Sequence, residues 1–219
     1  MTATLYDYAA SGNCLKVRLL FGLLGLPYRR VEVDIFDGAT LTDEYAALNP
    51  LRETPVLQTS GGEIVTQSNA ILWLLAEGTA FLPATPLDRA RVVQWLLFEQ
   101  ERVMPGIANP RFRLLTGRAV LDPAAITTRQ QTGREALTIL DGELTARPFL
   151  VGATPTIADL SVYAQAHAAE EAQIPLAPFP AVRSWIARVE ALPGFVNDLA
   201  PYPSNAALGA SRSIYDPAP

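Results

Sequence analysis

The sequence predicts an α/β domain followed by an all-α domain. Strand-like and helix-like patterns alternate through residues 1–78, whereas only helical patterns occur in residues 88–200. Between them, residues 79–87 contain two prolines and no hydrophobic period, which is typical of a linker. Residues 201–219 are also aperiodic and are predicted to form a C-terminal tail.

The first domain is predicted to have the order β-α-β-α-β-β-α. Its elements are a strand at 3–7, a helix from Cys14 to Gly25, a strand at 28–35, a helix at 42–48, strands at 56–59 and 63–65, and a helix at 66–76. Gly25 suits the left-handed end of a helix. Pro50 stops the second helix, and Gly61-Gly62 predicts a hairpin. The first two strands are expected to be parallel, because a crossover helix joins them.

The second domain is predicted to contain helices at 88–104, 124–146, 156–172 and 179–192. The helix at 88–104 is apolar almost all round, which indicates burial on more than one side. Thr156 and Asp159 have the spacing of a capping box, with Asp in place of the usual Glu or Gln. The single histidine, His167, lies in the middle of a predicted helix and is expected to be structural.

Composition and charge exclude several classes of function. Apolar residues make up 49% of the sequence and the net charge is −5, which indicates a folded protein that does not bind nucleic acid. A single cysteine fits a reducing compartment, and one Cys with one His cannot supply a structural zinc site. The N-terminus has no secretory signal, and no apolar run approaches the ~20 residues that span a bilayer. A soluble, cytoplasmic protein without a metal site or membrane contact is therefore expected.

A polar turn after the first strand is the first candidate site. Ser11-Gly12-Asn13-Cys14 leads into the helix, where unpaired N–H groups and a partial positive charge would stabilise a thiolate. A hydroxyl at this place could donate a hydrogen bond to that thiolate and make it a nucleophile near pH 7. The alternative is that Ser11 only caps the helix and Asn13 only forms the turn.

Two further segments of the first domain carry weaker signals. Thr54-Pro55 begins a strand, and a cis peptide bond there would turn the backbone groups of Thr54 toward a ligand. Gln67-Ser68 opens a helix, whose N-terminal donors could bind a carboxylate. A plain strand-start proline and ordinary helix capping are the alternatives.

Taken together, these features resemble the glutathione transferase family over roughly residues 3–195. The matching stretches are Ser11-Gly-Asn-Cys-Leu-Lys-Val-Arg-Leu-Leu, Leu26-Pro-Tyr28, Ala47-Leu-Asn-Pro50, Thr54-Pro-Val-Leu57, Gln67-Ser-Asn-Ala-Ile71 and Thr156-Ile-Ala-Asp-Leu160. The resemblance implies the glutathione transferase fold, with a thioredoxin-like first domain that binds glutathione. It also implies a homodimer, to which burial of the helix at 88–104 would contribute.

The resemblance also implies a role for each matching residue. Ser11 would contact the glutathione sulfur, with Asn13 as a second polar group close by. The backbone of Thr54 would pair with the cysteinyl part of glutathione, and Pro55 would be the cis proline. Gln67 and Ser68 would hold the γ-glutamyl end. Thr156 and Asp159 would serve folding.

The sequence departs from the family at Arg52-Glu53. Many relatives have a small residue and then a basic one here, and the basic side chain helps to hold a glutathione carboxylate. Arg52 either reaches that carboxylate instead, or Glu53 repels glutathione.

Three other positions leave alternatives open. Tyr8 is a rival to Ser11, because some classes use a tyrosine at this strand, although Ser11 is preferred. Cys14 takes the place of the second cysteine of a thioredoxin Cys-x-x-Cys, and core packing is preferred to a redox role. The tail either covers the co-substrate pocket or is loose.

The predicted function is therefore a glutathione transferase, with glutathione as co-substrate. It would stabilise the glutathione thiolate for attack on a small apolar electrophile or a disulfide. The alternative is a non-catalytic binding or scaffold protein of the same fold, in which Arg52-Glu53 marks a decayed site.

Overall fold

A computed structural model describes residues 2–216; the first position of the predicted α/β domain and the last three of the predicted tail lie outside the described residues. The strands are β1 (Ala3–Asp7), β2 (Tyr28–Glu32), β3 (Val56–Gln58) and β4 (Ile64–Thr66). Within residues 2–216 they form one sheet in the order β2-β1-β3-β4. β1 pairs in parallel with β2, while β3 is antiparallel to both β1 and β4. The predicted parallel pair and hairpin are confirmed.

Within the described residues, the first domain contains three α-helices. They are α1 (Gly12–Leu24), α2 (Asp43–Leu48) and α3 (Ser68–Ala76). Ser11 caps α1, which starts two residues before the predicted position, and Gly25 ends it with a φ of 62°. α3 begins at Ser68 rather than at 66, because β4 extends to Thr66.

Strand β2 is shorter than predicted and ends at Glu32 instead of 35. The carboxylate of Asp34 accepts a hydrogen bond from Phe36 N, which bends the chain out of the sheet. Ile35 and Phe36 then pack with Tyr8, beside the entrance to α1. This bend brings an aromatic wall close to the end of β1.

The second domain is helical throughout its regular structure. Its helices are α4 (Pro86–Phe98), α5 (Asn109–Leu115), α6 (Pro123–Ala146), α7 (Ile157–Ala166) and α8 (Pro180–Glu190). α4 begins inside the predicted linker, because Thr85 caps it and Pro86 suits the first turn. A π-helical segment, Glu99–Ala108, joins α4 to α5, so the predicted helix at 88–104 continues to Leu115.

The predicted capping box opens α7. Thr156 and Asp159 bond to each other's backbone, and Asp159 also accepts hydrogen bonds from Leu150 N and Trp185 Nε1. Its carboxylate therefore joins three parts of the second domain. His167 follows α7, stacks on the Tyr163 ring at 4.7 Å, and has a pKa lowered by burial. The helix predicted at 156–172 is shorter in the structure: α7 ends at Ala166, and a 3-10 turn follows at Ala169–Ala172.

The two domains share one large apolar cluster. Leu19 and Leu20 of α1 and Leu72 of α3 belong to the same cluster as Leu160 and Trp185 of the helical domain. The α/β unit is therefore packed against the helices along α1 and α3. No helix within residues 2–216 is both long and apolar enough to cross a membrane.

The tail, residues 201–216, packs back over both domains. Arg212 N donates a hydrogen bond to Phe36 O, which ties the tail to the segment after β2. The buried guanidinium of Arg118 donates to Ala206 O and to the Asp216 carboxylate, both at 2.6 Å. Of the two alternatives for the tail, the structure supports the covering one.

Candidate active site

A cavity of about 520 Å³ lies between the domains. Its floor is the turn between β1 and α1, and its walls are the π-helical segment, α5, the end of α7 and the tail. Apolar and aromatic side chains supply much of the lining, among them Phe112, Tyr202, Ile214 and Tyr215. Enclosed clefts of this size, with a few polar groups, are the usual form of small-molecule sites.

Ser11 is both a helix cap and a cavity-lining residue. Its Oγ accepts a hydrogen bond from Cys14 N at 3.3 Å, at the N-terminus of α1. The hydroxyl still has a proton to donate, because capping uses only a lone pair. The two interpretations of Ser11 are therefore compatible.

Asn13 connects the turn to the second domain. Its Oδ1 accepts hydrogen bonds from Gln165 Nε2 at 3.1 Å and from Ser68 Oγ at 3.4 Å. A side chain at Gly12 would collide with the amide group of Gln165, which would have to move away to make room. Asn13 thus lines the cavity and also fixes Ser68.

Ser68 belongs to a buried polar network that the sequence did not reveal. Lys16 Nζ donates to Ser68 Oγ at 3.3 Å and pairs with Glu99 Oε1 at 3.0 Å. Burial lowers the pKa of Lys16, and Glu99 opposes that shift. The sequence did contain a signal, because Lys16 and Glu99 are each a charged residue within a predicted apolar helix. In the structure each charge neutralises the other.

Gln67 precedes α3 in an unusual backbone conformation. Its φ is 70° and its ψ is 114°, a region that non-glycine residues rarely adopt. Such outliers cluster at functional sites, where the surrounding structure holds them. The outlier therefore supports the functional interpretation of Gln67 over ordinary capping.

The Thr54–Pro55 peptide bond is cis, as one of the two alternatives predicted. β3 begins at Val56, so the backbone groups of Thr54 lie outside the ladder of the sheet. Burial raises the pKa of the nearby Cys14 thiol, and a side-chain hydrogen bond with Thr54 opposes part of that rise.

Arg52 is turned toward the backbone near α2. Its Nη1 donates to Thr40 O at 3.1 Å and to Thr42 O at 2.9 Å. Glu53 O accepts hydrogen bonds from Tyr45 Oη and Asn49 Nδ2, and burial raises the pKa of the Glu53 carboxyl. These contacts fix the loop before the cis bond, and neither side chain lines the cavity.

Of the eight predicted site residues, two line the cavity and six do not. Ser11 and Asn13 belong to the lining. The other six are on the adjoining loops and at the start of α3: Arg52, Glu53, Thr54, Pro55, Gln67 and Ser68. The hydrogen bond between Ser68 and Asn13 joins the two groups. The sequence did not predict the arginines that line the cavity. They lie on α5 and on the 3-10 turn after it, and no motif marks them.

Cys14 and Tyr8 differ in their access to the cavity. The Cys14 thiol is buried, accepts a hydrogen bond from Tyr8 N, and has a pKa raised to about 12 by burial. Tyr8 lines the cavity, and its buried Oη has no hydrogen-bond partner among residues 2–216. Burial and Asp34 raise the pKa of the phenol, so it is a neutral donor. The packing interpretation of Cys14 fits this environment.

The chain matches known proteins in both domains. Residues 10–77 match the glutathione S-transferase N-terminal domain, and residues 123–188 match the glutathione S-transferase C-terminal domain. Maleylacetoacetate isomerase from Rhizobium meliloti is 35% identical over 185 residues, which cover 80% of this chain and 85% of the relative. The chain belongs to the glutathione S-transferase family.

Other members of the glutathione S-transferase family are similar along most of the chain. The disulfide-bond oxidoreductase YfcG from Escherichia coli is 29% identical over 85% of this chain and 89% of its own length. A structure described as a possible glutathione S-transferase from Rhodopseudomonas palustris has a TM-score of 0.88 and 39% identity, covering 91% of this chain and 99% of that one. The predicted fold class, a thioredoxin-like domain with an all-α domain, is confirmed.

Glutathione is the ligand that the family binds. The glutathione transferase URE2P6 from Phanerochaete chrysosporium was solved with oxidised glutathione, at 25% identity and a TM-score of 0.77 over 88% of this chain and 92% of that one. The first domain of this chain has the glutathione S-transferase architecture around Ser11, Thr54 and Ser68.

Proposed function

We propose that this protein is a glutathione transferase in which Ser11 stabilises the glutathione thiolate. The observation that carries the proposal is the position of Ser11, at the N-terminus of α1 and in the lining of the interdomain cavity. A hydroxyl and the N-terminal end of a helix both favour the charged form of a thiol. The thiol proton passes to solvent, and the sulfur then attacks the co-substrate.

Glutathione lies along the first domain in this proposal. The backbone of Thr54, before the cis Pro55, pairs with the cysteinyl part, while Gln67 and Ser68 hold the γ-glutamyl carboxylate at the start of α3. Asn13 orients Ser68, and the Lys16–Glu99 pair holds Ser68 from behind. Arg52 and Glu53 shape the loop that presents Thr54.

Two reaction classes follow from one activated thiolate. Attack on an electrophilic carbon forms a thioether and expels a leaving group. Attack on a disulfide forms a mixed disulfide and releases a thiol. Relatives named as transferase, isomerase and disulfide-bond oxidoreductase support an enzyme that uses this site. The cytoplasm is the proposed location, because its glutathione pool is reducing.

The test compares Ser11→Ala with Tyr8→Phe, which removes the other cavity hydroxyl. Ser11→Ala is expected to lower kcat/KM for 1-chloro-2,4-dinitrobenzene about a hundred-fold, since it removes a donor to the developing thiolate. Tyr8→Phe is expected to have a much smaller effect. Equal rates in the two variants would remove Ser11 from this role.

Calorimetric titration with glutathione separates the enzyme from a non-catalytic scaffold of the same fold. Binding is expected, and no heat at millimolar glutathione would favour the scaffold. An assay with hydroxyethyl disulfide beside the aryl chloride distinguishes disulfide reduction from transfer to carbon.

The proposed assembly is a homodimer. Val93 and Leu97 on α4 are 40% and 57% exposed, and Ile139 on α6 is 50% exposed. They lie on one face between the two helices, where polar residues such as Gln94 and Glu135 flank the apolar side chains. The sequence predicted a helix buried on more than one side, and a second copy of the chain would cover this face.

A further inference from the structure

The charges of the interdomain cavity contrast with those of the whole protein. The chain has a net charge of −5, yet the described lining of the cavity contains three arginines and one carboxylate. The arginines are Arg111 and Arg113 on α5 and Arg118 in the 3-10 turn after it. The carboxylate is that of Asp216 in the tail. The cavity lining is therefore cationic.

Two of the three arginines are used by the fold. Arg111 Nε pairs with Glu171 at 2.6 Å, and its Nη1 donates to Ala10 O. Arg118 Nη2 pairs with Asp216 at 2.6 Å, so the single carboxylate of the described lining is already neutralised. Substituting either residue would break contacts between the helical domain and other parts of the chain.

Arg113 has no carboxylate partner among residues 2–216. Its Nε donates to Asn109 Oδ1 at 3.1 Å, one helical turn earlier, which orients the guanidinium without neutralising it. The side chain is half-buried and lines the cavity. A guanidinium has five donors, so most of those of Arg113 are available to a ligand.

A second observation at the same cavity points to a ligand. Arg118 is almost fully buried, and its Nε has no hydrogen-bond partner among the described residues. A buried donor left unpaired costs free energy that a bound acceptor would recover. The aromatic rings of Phe36 and Phe112 lie 5.3 Å from the Arg118 guanidinium, at the distance of cation–π contacts that hold it beside the cavity.

We propose that the cavity binds a co-substrate that carries a carboxylate, and that Arg113 is the residue that selects it. The carboxylate pairs with the Arg113 guanidinium, while the apolar body of the co-substrate packs on Phe112, Ile214 and Tyr215. The inference rests on the proposed function, because it names the class of co-substrate that meets the glutathione sulfur. It differs from the small apolar electrophile or disulfide that the sequence predicts, because it adds a carboxylate to the co-substrate.

A pair of aryl chlorides tests the proposal by activity. With 4-chloro-3,5-dinitrobenzoate or 1-chloro-2,4-dinitrobenzene, the glutathione sulfur bonds to the ring carbon, the C–Cl bond breaks, chloride leaves, and the thiol proton passes to solvent. Each catalysed rate is divided by its uncatalysed rate. Arg113→Gln is expected to raise KM for the benzoate about ten-fold, as the loss of one charge-assisted hydrogen bond predicts. The rate with the neutral chloride is expected to stay within about two-fold, since it has no such bond to lose.

Two control variants accompany Arg113→Gln. Arg113→Lys keeps the charge and is expected to recover part of the affinity for the benzoate. Arg183→Gln removes an exposed arginine of α8 that does not line the cavity, and it is expected to change neither substrate. An equal loss with both chlorides in Arg113→Gln would overturn the proposal.

Equilibrium binding keeps the test independent of turnover. Calorimetry measures the Kd of 3,5-dinitrobenzoate and of 1,3-dinitrobenzene, neither of which has a leaving group. The wild-type protein is expected to prefer the benzoate, and Arg113→Gln to weaken that binding about ten-fold. If the protein did not turn over glutathione, the proposed function would be wrong. The difference in Kd between the benzoate and the neutral compound would still test the carboxylate site. Equal benzoate affinity in wild type and Arg113→Gln would refute the site.

Discussion

At the scale of the residue, burial distinguishes the Cys14 thiol from a ligand thiol that could bind at the turn after β1. Cys14 lies one helical turn from Ser11, but its thiol is enclosed and its pKa is raised to about 12. In the proposed function, the reacting thiolate is therefore that of the ligand and not that of Cys14. Ser11 lines the cavity and can meet such a ligand, whereas Cys14 contributes packing.

We expect Cys14 to resist alkylation in the folded protein. Iodoacetamide needs the thiolate, and at pH 8 a thiol with a pKa near 12 is almost wholly protonated as well as inaccessible. Mass spectrometry should find no adduct in native protein and full modification in 6 M guanidinium chloride. Because the folded pKa lies above the ordinary value of 9.0, the stabilisation from this thiol is complete below pH 9 and is lost as the pH rises toward 12. Rapid modification of native protein at pH 8 would contradict the packing role.

The structural role of a residue could be predicted from the sequence where neighbouring residues determine it. The cis bond at Pro55 and the cap at Ser11 are local features, and both appear in the structure. Arg113 and the Lys16–Glu99 pair could not be predicted, because their partners are set by how the domains pack. The direction of the Arg52 side chain was likewise decided by carbonyl oxygens of another segment.

At the scale of the element, two glycines allow the backbones of α6 and the π-helical segment to approach closely. A Cβ at Gly106 would lie 2.5 Å from Gly133 N, and a Cβ at Gly133 would meet Gly106 O and Ile174. No side chain fits between these backbones. The close approach positions the π-helical segment, which supplies Met104 and Ala108 to the cavity wall.

Gly133→Ala is expected to lower the free energy of unfolding by about 2 kcal/mol, because the added methyl group forces the two helices apart. Gly142→Ala lies on the same helix with open space around it, and is expected to raise stability by about 0.5–1 kcal/mol through helix propensity. Urea denaturation followed by circular dichroism measures both. Similar effects of the two substitutions would mean that the contact is not tight.

Element boundaries were predictable where a cap or a glycine marks them. Gly25 and Thr156 are examples, since each determines its end of a helix by local hydrogen bonds. The π-helical segment carries no such mark, and Pro105 inside it suggests a break rather than a continuous rod. The early end of β2 follows from a single side-chain bond of Asp34, which a hydrophobic pattern does not report.

At the scale of the whole molecule, the exposed face of Val93, Leu97 and Ile139 is expected to be the dimer contact. Leu97→Glu places a charge in that contact and should convert the dimer to a monomer, because burying an unpaired carboxylate is costly. Size-exclusion chromatography with light scattering gives the mass. Val120→Glu, at an exposed apolar position that is 71% accessible and outside this face, should leave the mass unchanged. A wild-type monomer at micromolar concentration would refute the assembly.

The tail makes the cavity dependent on two segments that are synthesised far apart in time. Tyr8 and Tyr215 line the same cavity although they lie near opposite ends of the sequence. The turn at Ser11 and the helices α1 to α8 are therefore synthesised before the tail, which supplies one wall of the cavity. Substitutions in the tail would change this wall of the cavity, while the sheet and the turn at Ser11 stay as they are.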